Sequence, residues 1–211
     1  MSLKESRIEY KKGTLSDDLK NESPFDLFKN WLELAKKNVA LDFNAMSLNT
    51  NSPDGFPSSR IVLLREFTEE GFVFYTNYNS AKGKELEQNH NVSLNFFWRE
   101  LEKQVRVKGT AVKVSSDVSN VYFSSRPRKS QIGAWVSNQS EVIQSRETLI
   151  RKNEELEEAF KGKEVTRPPH WGGYLVIPNC FEFWQGRSGR LHDRLKFSEK
   201  DSLWSADRLS P

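Results

Sequence analysis

Met46-Ser-Leu-Asn-Thr-Asn-Ser-Pro-Asp-Gly-Phe-Pro-Ser-Ser-Arg-Ile-Val-Leu-Leu-Arg65 is the stretch that decides the fold. From Ala45 the hydrophobic period changes. Residues 46–50 read as a strand, Pro53-Asp-Gly55 as a turn and residues 59–65 as the returning strand of a hairpin. Upstream, Ser23-Pro24 opens a helix, with serine as cap, proline in the first position and Asp26 in the first turn. Phe25, Phe28, Leu32 and Ala35 line one face of that helix, with Trp31 beside them, and this face is core. Downstream, strands are expected at 71–76, 92–98, 104–114, 172–184 and 190–197, with a final segment at 204–209. Helices are expected at 80–88, 116–124 and 145–161, the last with Leu149, Asn153, Leu156 and Phe160 at helical spacing. Short strands with few helices between them argue for a mainly β antiparallel barrel with peripheral helices. No Gly-x-Gly-x-x-Gly follows a strand, which argues against a Rossmann cofactor site.

At 211 residues the chain fits one domain that buries about 70% of its unfolded surface. Residues 1–22 are polar and expected to be mobile, and residues 23–211 form the single domain. Thirty-two basic against 29 acidic residues is mixing, not a basic stripe, so a small anionic ligand is a better partner than nucleic acid. No apolar run is long enough to cross a bilayer, and the first residues lack the character of a signal peptide. The single cysteine, Cys180, suits a reducing, cytoplasmic compartment and reads as a buried structural thiol. Three scattered histidines and one cysteine leave no metal site of normal spacing, and His90 and His170 read as surface residues.

Two segments carry chemistry. In Trp184-Gln-Gly-Arg-Ser-Gly-Arg-Leu-His-Asp-Arg194, a strand would point Arg190, His192 and Arg194 to one face, an arrangement suited to a planar anion. A solvated edge strand blunted by charge is the plainer reading of the same residues. In Tyr122-Phe-Ser-Ser-Arg-Pro-Arg-Lys-Ser-Gln-Ile-Gly-Ala-Trp-Val-Ser-Asn-Gln-Ser140, Tyr122, Arg126 and Ser130 recur every four residues. On a helix continuing into a turn they fall near one side and make a phosphate cradle, although Pro127 bends the helix there.

These segments closely resemble the pyridoxamine/pyridoxine 5'-phosphate oxidase family, flavoproteins of vitamin B6 metabolism. The likeness extends through Arg60-Ile-Val-Leu-Leu-Arg65, Phe74-Tyr-Thr-Asn77, Gln104-Val-Arg-Val107 and Asp207-Arg-Leu-Ser-Pro211, from about Arg7 to the C-terminus. It implies an FMN-binding split barrel, a homodimer with FMN at the subunit interface, and oxidation of a B6 5'-phosphate by O2. Arg60, Tyr75, Thr76, Lys82, Gln104, Gln139, Ser140, Trp184 and Arg194 take the FMN-binding positions. Ser80-Ala-Lys82, at the start of a helix, would anchor the FMN phosphate by backbone N–H groups and an ammonium. Gln104 and Gln139 can donate and accept at once along the flavin edge, although each alone reads as a surface side chain. Arg65, which replaces the family's usual lysine, would serve both phosphates. Tyr122, Arg126 and Ser130 join it at the substrate phosphate, and Arg190 and His192 hold the substrate ring. Arg190 would cover the substrate face, while His192 would move a proton or only orient the ring. Arg7 and Tyr10 match residues that can fold over the substrate as a lid.

A second departure is Ala81, where the family usually has arginine; it leads us to expect weaker but retained FMN binding. Two other readings use the same residues: a split-barrel oxidoreductase with another substrate, and a non-catalytic flavin- or pyridoxal-phosphate-binding protein.

Overall fold

The computed structural model describes residues 8–211. The hairpin forms as expected from β1 (Ala45–Asn51) and β2 (Pro57–Leu63), with Ala45 opposite Leu63 and Asn51 opposite Pro57. Met46, Leu48 and Thr50 alternate inward along β1. The remaining strands are β3 (Glu66–Thr68), β4 (Gly71–Asn77), β5 (Asn91–Trp98), β6 (Lys103–Lys113), β7 (Trp171–Gln185), β8 (Asp193–Lys200) and β9 (Leu203–Arg208). Every pairing is antiparallel, in the order β2-β1-β5-β6-β7-β4-β3, with β8 also on β7 and β9 beyond it. The two ends of that order, β2 and β3, are consecutive stretches joined by Leu64 and Arg65. The sheet therefore curls back on itself into a barrel, and Arg65 donates its N–H to the Val73 carbonyl at the seam (2.8 Å).

Strand β7 pairs with β6 along its length, but on its other side it pairs first with β4, up to Val176, and then with β8, from Cys180. Pro178 lies at this exchange and has no N–H to give to either neighbour. The register with β6 slips there, and a Cβ on Gly109 would stand 2.2 Å from the Ile177 carbonyl oxygen. Only glycine lets the two backbones approach so closely.

Helix α1 (Pro24–Asn38) closes the barrel, capped by Ser23, whose hydroxyl accepts the Phe25 N–H at 3.2 Å. It buries Leu27, Phe28, Trp31 and Ala35, while Phe25 and Leu32 are only partly covered. Phe28 is the centre of the aromatic core, 4.6 Å from Phe67, 4.9 Å from Phe72 and 5.0 Å from Phe96 between ring centroids. Helix α2 (Ala81–Gln88) follows β4, and α3 (Ser116–Ser125), α4 (Arg128–Val136) and α5 (Arg146–Ala159) pack outside the barrel on a second cluster around Phe123, Ile132 and Trp171. In place of one helix running into a turn there are two helices, because Arg126 is extended (φ −73°, ψ 148°) and Pro127 opens α4. The available sign of α4 was Ile132 and Val136, four apart and both buried.

Three further expectations change. Where polarity suggested a mobile tail, residues 8–22 lie against the barrel: Leu15 is buried, and its carbonyl accepts from Arg208 at 2.6 Å. Cys180 is only partly buried, at the edge of a groove. His170 is half-buried, with Nε2 3.2 Å from the Ala134 carbonyl oxygen. No helix among the described residues is long and apolar enough to cross a membrane.

Replacing Phe28 by alanine is expected to cost about 3–5 kcal/mol, read as a lower midpoint in denaturant unfolding. A midpoint like that of the wild type would remove Phe28 from the centre of the core. Lys103 gives a second test, since its Nζ lies 3.9 Å above the Trp31 ring and burial pulls its ammonium down to about 8. Between that value and the ordinary lysine value of ~10.5, the folded protein binds fewer protons than the unfolded chain. The penalty for burying the charge is thus full below this window, and stability rises with pH through it. Lys103→Met should flatten that rise when unfolding free energies are compared across the window; an unchanged slope would show that another group causes it.

Candidate active site

A cavity of about 580 Å³ opens between β2, β4, the start of α2 and the α3–α4 pair. Its aromatic wall is a stack: Tyr75 and Tyr122 lie 3.8 Å apart and 15° from parallel, and Trp171 is 5.4 Å from Tyr75. The Arg126 guanidinium sits 4.5 Å over the Trp171 ring, a cation–π contact. Arg65 and Ser130 complete this end. The expected group of Tyr122, Arg126 and Ser130 therefore does assemble, through a helix break and not along one helix. The Arg126 N–H closes α3 on the Phe123 carbonyl (3.1 Å), and the Gln131 amide ties α4 back to the carbonyls of Phe123 and Ser124.

Among the described residues Nη1 of Arg126 is buried without a hydrogen-bond partner. Burial holds its guanidinium below the ordinary value; Tyr122 opposes the shift and the charge on Arg65 adds to it. Burial pushes the Tyr75 phenol up to about 12, so it stays neutral.

At the other end of the cavity α2 presents its N-terminus. The Ser80 side chain does not face the cavity: it is fully buried and spent as the helix cap, donating to the Asn77 carbonyl (2.7 Å) and accepting the Gly83 N–H (3.3 Å). Among the described residues no acceptor takes the first-turn N–H groups of Ala81 and Lys82. The Lys82 ammonium reaches Gln139 Oε1 at 2.8 Å, and the Thr76 hydroxyl donates to the same oxygen at 3.3 Å. Burial lowers the Lys82 pKa, the charge on Arg60 adds to this, and Glu85 opposes it. Arg60 is held by Glu85 (2.9 Å) and by the Ser58 hydroxyl (2.6 Å), and it also touches the Thr50 hydroxyl. Burial would raise Glu85, but the Thr50 hydrogen bond and the Arg60 charge bring it below the usual carboxylate range. Ser140 is exposed at φ 75° outside the cavity, and its neighbour Gln139 enters instead.

The other expected residues lie elsewhere on the protomer. Gln104 and Arg194 line a groove of about 690 Å³, where Arg194 pairs with Glu182 at 2.9 Å. Tyr10, Arg190 and His192 line a third depression of about 540 Å³, with Arg187. Trp184 borders it, 4.8 Å from the His192 ring and 5.6 Å edge-on to Tyr10. Arg7 lies outside the described residues.

Arg190, His192 and Arg194 do not share one strand face. Arg190 sits in a turn (Ser188–Arg190) at φ 63°, and β8 begins only at Asp193. The turn is pinned by Asp193, whose carboxylate accepts from Arg187 (2.9 Å), Arg208 (3.0 Å) and the Leu15 N–H (3.1 Å). Nδ1 of His192 accepts the Arg187 N–H at 3.1 Å, so the neutral ring carries its proton on Nε2. Sequence reasoning missed Glu85, Trp171 and Asp193 and gave Arg187 no role of its own; the nearby glycines, Gly186 and Gly189, were the available sign of a turn.

Residues 34–159 match a family described as pyridoxamine 5'-phosphate oxidase, and residues 171–211 match the pyridoxine 5'-phosphate oxidase C-terminal dimerisation region. A pyridoxine/pyridoxamine 5'-phosphate oxidase of Microcystis aeruginosa is 48% identical, covering 100% of this chain and 99% of the relative. That of Nostoc punctiforme is 54% identical, covering 90% of this chain and 89% of the relative. Among solved structures, PhzG from Burkholderia lata 383, in complex with tetrahydrophenazine-1-carboxylic acid, superposes with a TM-score of 0.87 at 30% identity, covering 94% of this chain and 98% of that one. A pyridoxamine 5'-phosphate oxidase-related, FMN binding protein from Nostoc punctiforme shares the fold at a TM-score of 0.72 and 16% identity, covering 90% of this chain and 100% of that one. The barrel is thus the split barrel that the motifs implied, and the chain belongs to the pyridoxine/pyridoxamine 5'-phosphate oxidase family.

Proposed function

We propose that this protein oxidises pyridoxamine 5'-phosphate or pyridoxine 5'-phosphate to pyridoxal 5'-phosphate, with FMN as cofactor and O2 as the final acceptor, releasing hydrogen peroxide. The observation that carries the reading is the buried, unpartnered Nη1 of Arg126 beside Arg65, Tyr122 and Ser130. Leaving such a donor unsatisfied costs about 1–3 kcal/mol, and a phosphate relieves that cost by accepting from the guanidinium. Hydroxyls of Tyr122 and Ser130 add neutral donors, which orient the phosphate without adding charge.

The α2 end of the cavity fits the phosphate of FMN by its donor set: the Lys82 ammonium, the N–H groups of Ala81 and Lys82, and Arg60 braced by Glu85. Ala81 is exposed and brings no charge, so Lys82 and Arg60 carry the cationic load. Thr76 and Gln139 supply mixed donors and acceptors for the ring edge, and Gln104, which lines a separate groove in the protomer, would join them from the partner copy of a homodimer. Bound FMN supplies a two-electron acceptor for hydride, which O2 regenerates. The protein's part is to hold the flat substrate still and in register, so positioning provides most of the rate. Arg190 orients the ring oxygen and covers the exposed face. His192, with its proton on Nε2, donates to the substrate or relays a proton from it.

Among the described residues, the cavity holding Arg126 and the depression holding Arg190 have no lining residue in common. We read the site as completed in a homodimer, in which the 171–211 region of one copy brings Arg190 and His192 to the Arg126 cavity of the other. A second reading, an oxidoreductase of the same fold with another substrate, draws on the likeness to PhzG, whose ligand is a carboxylic acid. The phosphate-sized donor set around Arg126 favours the first.

Adding pyridoxamine 5'-phosphate without oxygen to the FMN-loaded protein should bleach the flavin colour, and air should restore it. Colour that persists would reject the oxidase reading. Mixing inactive Arg126→Ala and Arg190→Ala homodimers under exchange should recover up to about a quarter of wild-type turnover, because half the dimers are mixed and each mixed dimer has one intact site. Mixtures that stay inactive after verified exchange would place both arginines in the same protomer's site.

A further inference from the structure

We propose that Glu102 is a positioning residue: its carboxylate docks the N-terminal strap so that Tyr10 stands over the substrate depression, and this docking sets the affinity for the phosphorylated substrate. The proposal rests on the oxidase reading above for the substrate, but its geometry is independent of that reading. Glu102 lies at the turn between β5 and β6, is 6% exposed and has φ 54°. Its Oε2 accepts the backbone N–H groups of Lys11 at 2.7 Å and Lys12 at 2.8 Å. Among the described residues no lysine or arginine side chain pairs with it. The buried charge is therefore held by the strap itself, through hydrogen bonds strengthened by the charge.

The backbone of Glu102 serves the opposite wall of the depression. Its carbonyl accepts the Gly186 N–H at 2.8 Å and the Gln185 side-chain amide at 3.1 Å. One residue thus ties the strap to the strand end from which the turn bearing Arg187 and Arg190 departs. Tyr10, next along from Lys11, packs its ring on Gly186, where an added Cβ would come within 2.7 Å of the ring. It meets Trp184 at 5.6 Å and His192 at 5.7 Å, both edge-on. Further along, the strap is fastened separately by Leu15 to Asp193 and Arg208. Loss of the Glu102 carboxylate would then loosen residues 8–12, leaving them the Lys12 ammonium on the Glu100 carbonyl (2.7 Å) and the Tyr10 ring contacts, while residues 15 onward stay in place.

Glu102→Gln keeps size and removes the charge. In the full-length, FMN-loaded protein it is expected to raise KM for pyridoxamine 5'-phosphate about tenfold, with kcat within about twofold of wild type, because the competent docked state becomes less populated. Amide exchange at Lys11 and Lys12 should quicken, while exchange in β5 and β6 stays as in wild type. In a Tyr10→Ala background the same substitution should change KM little further, since both act through one contact. An unchanged KM, a full additional tenfold rise in the Tyr10→Ala background, or faster exchange throughout β5 and β6 would each overturn the proposal. If the wild type fails to oxidise the substrate, the functional reading falls; exchange at Lys11 and Lys12 then decides alone whether Glu102 anchors the strap.

Discussion

Strand β7 hydrogen-bonds to β6 on one side and, on the other, to β4 and then to β8. A strand has only one row of groups per edge, so it cannot serve both partners at the same place. The exchange happens at Pro178, which has no N–H, and beside Gly109, where two backbones nearly touch. The first half of β7 carries Trp171 into the stack with Tyr75 and Tyr122, and so forms the wall behind Arg126. The second half ends at Trp184 and Gln185 and launches the turn that holds Arg190 and leads to His192. The two chemistries of the chain lie at opposite ends of one strand, which is why a protomer by itself keeps them in separate depressions.

Charge is handled differently at Arg60 and Arg194, proposed above to meet the cofactor, and at Arg126, proposed to meet the substrate. Arg60 and Arg194 are each paired with a carboxylate, Glu85 and Glu182, within 2.9 Å. Ion pairs of this kind add little net stability once desolvation is counted, but they fix where a guanidinium points. Arg126 has an aromatic surface to lie on and a buried donor left over. The first arrangement suits a group that stays bound. The second leaves binding energy for a molecule that comes and goes.

Much of the barrel was legible in the chain because its signals are local. The Pro53-Asp-Gly55 turn, the Ser23-Pro24 cap and the alternation of Met46, Leu48 and Thr50 each depend on a few neighbouring residues. Where a reading needed distant partners it failed in detail. Residues 190–192 alternate like a strand, yet Asp193 is claimed by Arg187, Arg208 and the Leu15 N–H, and this pulls the preceding residues into a turn. Residues 8–22 are polar enough to read as a loose tail, yet Glu102, about ninety positions away, holds two of their N–H groups.

The sequence by itself determined most of the element types, the family and the residue types proposed to meet anions, since period, caps and ordered motifs are properties of adjacent residues. Only the tertiary structure decided which side chains share a cavity, which are spent on capping or pairing, and that Ser80 and Ser140 do not face the cavity. Those outcomes depend on long-range pairing and burial, where one carboxylate or one carbonyl chooses among donors far apart in the chain, and no local pattern encodes that choice.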